Sequence, residues 1–159
     1  GEARVALVHG DAASLAGWGF AHDALDDTAH RRWIESVAAA ARADVFACSH
    51  TCLPAVRRFE GATRPFAIAN NGATGMPNFR DTRFGIVTRI AAGPGPHPAL
   101  YETAVAGVRV QAIAVAYDAD AYRRRFLAAW PAGSPAHESY FGRLERGPDF
   151  TPALAAPPA

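Results

Sequence analysis

Cysteine is scarce in this chain, and that scarcity excludes a fold stapled by disulfides: only Cys48 and Cys52 occur in 159 residues. A reducing compartment follows as the expectation, and with it a cytoplasmic protein. Long hydrophobic runs are lacking too. Nothing approaches the roughly 20 apolar residues that span a bilayer, and no basic-then-apolar leader precedes Val5. An excess of charge of either sign is also missing. With 16 basic against 15 acidic residues and a formal net charge of +1, no electrostatic argument favours nucleic acid or an anionic membrane as partner. The one basic run, Arg123-Arg124-Arg125, reads as a solvated helix face or as a phosphate-contacting patch. Internal repeats and linkers are absent.

What is present suits one globular domain. Half of the residues are apolar, and the length is sufficient for a core. Residues 1–150 are expected to form the domain, and the proline- and alanine-rich stretch 151–159 a poorly ordered tail. The pattern is α/β. Arg4 to Val8 reads as a buried strand. Residues 12–28 read as a functional loop with a short helical turn, in which Trp18 either stacks on a substrate or fills the gap between loop and sheet. His22, near Asp23, Asp26 and Asp27, is either a metal ligand or part of a wet acidic loop.

Thr28 is placed to cap a helix from about Ala29 to Arg42 that packs Trp33, Val37, Ala40 and Ala41 on the sheet. Val45 to Cys48 fits a strand buried on both faces. Pro54 should block further ladder pairing, leaving a helical turn over 55–59 before a strand at Phe66 to Ala69. Asn70, Asn71, Gly72 and Gly75 make a turn whose amides are able to face a phosphate. Arg83–Ala91 and Tyr101–Tyr117 are expected as antiparallel strands around Gly107, with Val108, Val110, Ala112 and Ala114 on one face. Asp118 caps a helix from Ala119 to Trp130, and a short helix covers Ser134 to Gly142.

The organising stretch is Asp44 to Pro54, where the apolar run ends at His50 and Cys52. In open α/β sheets the C-terminal strand edge is where ligand sites form. Ser49-His-Thr-Cys-Leu-Pro54 resembles the Gly-His-x-His-x-Pro signature that closes the metal site of calcineurin-like metallophosphoesterases, with Ser49 in place of the glycine and Cys52 in place of the second histidine. Upstream, Val5-Ala-Leu-Val-His-Gly-Asp11 resembles the family's preceding strand with its metal-binding histidine, here His9. Downstream, Ala67 to Pro77 resembles the strand and glycine-rich turn that follow the signature, and Ser139 to Pro148 is similar to the ends of several bacterial members. The family's N-terminal motifs, Asp-x-His, Gly-Asp with an acidic-rich turn, and Gly-Asn-His, have no counterpart here.

The resemblance therefore implies the C-terminal half of a four-layer α/β/β/α sandwich, with a mixed sheet and flanking helices. It implies a dinuclear site for two divalent ions, manganese, iron or zinc, that hydrolyses phosphomonoesters or phosphodiesters, with the catalytic groups expected in the N-terminal half. His9 and His50 would bind one ion and Cys52 the other; a thiolate there favours zinc. Asn71 and Gly72 are the candidate substrate contacts. The expected partners are a small phosphoester and either the N-terminal half or a second copy meeting an exposed sheet face. Two other classes remain: a degenerate, non-catalytic phosphoesterase module that binds or scaffolds, and a thiol enzyme using Cys52 with His50.

Overall fold

A computed structural model describes residues 2–157, and within them the chain is mixed α/β, with two sheets and five helices. The first sheet has the order β1 (Val5–Leu7), β2 (Val45–Cys48), β4 (Phe66–Asn71), β3 (Pro54–Phe59); its first three strands run parallel and β3 is antiparallel. The second is an antiparallel sheet of β5 (Phe84–Ala91), β7 (Val108–Ala116) and β6 (Tyr101–Val105). Helices α1 (His22–Asp26) and α2 (Arg31–Ala41) return the chain between β1 and β2. After β7 come α3 (Ala119–Ala129), α4 (Pro135–Arg146) and α5 (Pro152–Ala155).

Period-two alternation divides the central strands between two cores. Val45 of β2, Val56 of β3 and Ala67 and Ala69 of β4 point towards the second sheet, where they meet Ile86, Val110 and Ala112. Their neighbours Phe46, Cys48, Ala55, Phe59, Phe66 and Ile68 point the other way, against Phe20, Leu25, Ile34 and Ala38 of the helical side. This is why β2 and β4 read as continuous apolar runs: both faces are covered.

Several expectations are corrected. The strand over 4–8 is present as β1 but is not buried. Among the described residues it is the sheet's edge, paired with β2 alone, and Leu7 is 80% exposed. Thr28 does not cap α2. The Asp27 side chain accepts from Ala29 N–H, the chain turns through 28–30, and the helix begins at Arg31 after His30. Its buried stripe is Ile34 and Ala38, flanked by Trp33 and Val37, while Ala40 and Ala41 are exposed.

Residues 55–59 are a strand rather than a helical turn. Pro54 occupies the first position of edge strand β3, opposite Asn71, where its missing N–H costs the ladder little. Ala114 is exposed, unlike Val108, Val110 and Ala112 on the same face of β7. The helix expected to stop at Gly142 continues to Arg146, with the Ser134 side chain accepting from His137 N–H at its start.

The expected disordered tail is ordered through residue 157. Ala155 is fully buried, and Arg57 donates to the carbonyls of Leu154, Ala155 and Ala156. Residues 158–159 of that expectation lie outside the described residues. Among the described residues, no helix is long and apolar enough to cross a membrane.

Candidate functional site

Parallel pairing of β1 with β2 brings His9 and His50 together. The ladder continues past the strands: Val8 N–H donates to Ala47, and the carbonyl of His9 accepts from both Ser49 N–H and His50 N–H. The two imidazoles therefore leave adjacent strand ends on the same edge. His9 Nε2 stands 3.2 Å from His50 Nδ1, with ring centroids 5.0 Å apart. At that distance one neutral ring donates its N–H to the lone pair of the other. The spacing also suits a metal, because two nitrogens on one tetrahedral zinc, each about 2.0–2.1 Å from it, stand roughly 3.3 Å apart.

Cys52 is carried by the same turn but held differently. Its backbone lies in the left-handed region with φ 56°, and its thiol faces the carbonyl of His50 at 3.6 Å. The turn is pinned from outside by Arg143 of α4, which donates to the carbonyls of Cys52 and Pro77. Among the described residues no group of three His, Cys, Asp or Glu side chains converges to hold a metal, so the structure joins His9 to His50 without a third donor.

Asn70, rather than Asn71, organises the neighbouring loop. Its amide donates to Thr51 Oγ1 and to the carbonyl of Phe20, while its oxygen accepts from Gly72 N–H. Asn71 is engaged between the sheets: it donates to the Ile86 carbonyl and accepts from Thr88 Oγ1. Gly72 is buried, and its carbonyl accepts from Ser49 Oγ. The polar groups of both candidate substrate contacts are thus engaged within the protein, Asn71 by β5 and Gly72 by Ser49. Nothing short of the side-chain geometry distinguishes Asn70 from Asn71.

Asp11 was also not visible as a structural centre. Its carboxylate accepts from the amides of Ala13, Ser14 and Gly19, closing residues 11–19 into a compact loop beside the histidines. Partial desolvation raises its pKa, but the three amides and the nearby His30 outweigh it, and the carboxyl titrates below its usual range. The sequence signal that would have found it is an Asp at the head of a loop, able to bond the backbone two residues on as an Asx-turn, here at Ala13.

On that loop Trp18 is 61% exposed, with its ring 5.9 Å from the ring of His50 and edge-on to it. It does not fill a gap between loop and sheet. His22 packs edge-on against Phe150, and its neighbour Asp26 is bound by Arg57, so the acidic loop gathers no ligand set. Arg123 pairs with Glu145 of α4 and lies over the Phe141 ring, which gives the first of the three arginines an interhelical contact.

A second feature adjoins the histidines. Leu7 of β1 and Val87 of β5 line an open groove with Ala47 and Asn71, between the outer strands of the two sheets. No protein-family model, curated protein or solved structure matches the chain.

Proposed function

We propose that this chain contributes part of the metal site of a metal-dependent phosphoesterase. The observation that carries the reading is the His9–His50 pair: two imidazoles at ligand spacing, delivered by adjacent parallel strands to the C-terminal sheet edge. His9 and His50 would hold one divalent ion, and Cys52 would serve a second. Ions held there would supply Lewis-acid chemistry, polarising a phosphoryl oxygen and lowering the pKa of a bound water. The residues of the chain supply position: Asn70 and Arg143 fix the turn that bears His50, and Asp11 fixes the loop beside it.

Two imidazoles are fewer than the three protein ligands that catalytic zinc ordinarily takes. The remaining donors, carboxylates among them, would come from a polypeptide that seats on the open side next to β1, either an N-terminal half or a second copy of the chain. The exposed Leu7, Val5 and Val87 and the groove between the two sheet edges support such a contact. The larger four-layer α/β/β/α arrangement belongs to the same proposal.

Calorimetric titration with zinc tests it. The wild-type chain should bind, and His50→Ala and His9→Ala should each weaken binding at least tenfold; equal affinity in all three would remove the reading. One observation favours a second reading, a non-catalytic binding module: among the described residues no third donor converges on the pair. In that case zinc-loaded chain, alone or with its partner, leaves bis(4-nitrophenyl) phosphate intact.

A further inference from the structure

Large aromatic side chains on a loop are ordinarily turned inwards, since an indole left in water forfeits the apolar burial that makes it valuable. Trp18 is turned outwards from a loop that has every means to be compact. Asp11 ties the loop together through three amides, and Ala21 N–H closes onto the Trp18 carbonyl at 2.9 Å. The residues flanking Trp18 have no room for a side chain. A Cβ at Gly17 would meet the Asp11 carboxylate at 2.0 Å, and one at Gly19 would meet the Trp33 ring at 2.7 Å. The backbone on both sides is thus packed against the protein while the indole between them stands 61% exposed, edge-on to His50.

We infer that Trp18 is a substrate-contacting residue, on which the planar organic group of an aromatic phosphoester stacks while its phosphoryl group lies at His9 and His50. The inference rests on the phosphoesterase reading and adds to it a substrate class. Position, rigidity and chemistry all favour it. The ring centroid is 5.9 Å from that of His50, so a group esterified to a phosphate at the histidines comes within reach of the indole. A loop whose backbone Asp11 anchors leaves only the rotamers of the indole to order on binding. An indole face offers a planar partner a stacking surface with no charge requirement. The neighbouring Leu15, 79% exposed, extends the apolar side of the same loop.

The test is calorimetric binding of phenylphosphonate and methylphosphonate to the zinc-loaded chain and to Trp18→Ala and Trp18→Phe. The two probes share the phosphoryl group and differ in the planar ring. The expected result is that Trp18→Ala weakens phenylphosphonate about tenfold, leaves methylphosphonate and zinc affinity unchanged, and is largely restored by Trp18→Phe. If both phosphonates bind and Trp18→Ala treats them alike, the stacking role is wrong and the phosphoesterase reading survives. If neither phosphonate binds wild type with zinc present, the phosphoryl site falls and this inference falls with it. A loss of zinc affinity in Trp18→Ala would make the residue a support for His50 and overturn the substrate contact.

Discussion

The guanidinium of Arg143 reaches from α4 to the carbonyl oxygen of Cys52 at 2.5 Å, and its Nε reaches the carbonyl of Pro77 at 3.3 Å. One side chain thereby joins the turn that carries His50 to the glycine-rich loop that follows β4. Burial lowers the pKa of Arg143, with the neighbouring Cys52 and Tyr140 acting in the opposite direction, and the group remains charged at any working pH. Arg143→Ala removes a charge-assisted bond and should cost about 1.5–3 kcal/mol in urea unfolding. It should also weaken zinc at His9 and His50, because the turn loses its outer tether. Arg143→Lys should recover part of the stability and less of the zinc affinity, since an ammonium cannot span two carbonyls in the same fork geometry.

Asp11 makes a separate, pH-dependent contribution. Its folded pKa lies below the ordinary aspartate value, so the loop is held by the carboxylate above the unfolded pKa, and that contribution is lost as pH falls through the folded value. Trp18 fluorescence should therefore report a local transition below about pH 4. In Asp11→Ala the acid transition should be absent. The loop should be loose at neutral pH, with a cost of about 1 kcal/mol from amides left without their acceptor. An unchanged acid transition in Asp11→Ala would assign it to another group.

How much of this was legible follows from which interactions are local. The apolar runs at β2 and β4 were readable because both faces of those strands are covered, and His9 and His50 were readable as strand-end residues. That they meet depends on the β1–β2 register, which the motif resemblance suggested and strand pairing supplies. β3 was missed because Pro54 signals a break, whereas an edge strand tolerates proline at its first residue. The ordered tail was missed because its partner, Arg57, lies about 100 residues earlier and composition carries no trace of the contact. The engagement of Asn71 with Ile86 and Thr88 likewise depends on how the two sheets stack.

Arg57 joins the edge strand β3 to α1 and to the C-terminal segment. It lies between Ala55 and Phe59 on the helix-facing side of β3, donates to Asp26 through Nε at 2.6 Å and Nη2 at 2.8 Å, and donates to three carbonyls of the C-terminal segment. Arg57→Ala should be destabilising, by about 1–3 kcal/mol in denaturant unfolding, because it leaves the buried carbonyl of Ala155 without its donor, while the half-exposed Asp26 regains water. Hydrogen exchange of residues 153–156 should accelerate before the rest of the chain opens. Asp26→Asn should be milder. The Arg57 hydrogen bond and charge hold the Asp26 pKa below 3.8, so the stability difference between Asp26→Asn and wild type should shrink as pH falls below about 4.

The two thiols offer a prediction that needs no assumption about function. Cys48 is buried on the helical face of β2, and desolvation, with a lesser contribution from the Asp11 charge, pushes its thiol up to about 12. Cys52, four residues on, is only half-buried. Alkylation proceeds through the thiolate and requires access. Iodoacetamide at pH 8 should therefore add one label, at Cys52, and peptide mass spectrometry should find Cys48 unmodified until the chain is unfolded in guanidinium. If zinc is held with the help of Cys52, saturating zinc should slow that labelling severalfold. Labelling at Cys52 that zinc does not change, in a chain shown by calorimetry to bind zinc through His9 and His50, would confine the metal to the two imidazoles and exclude the thiolate as a ligand.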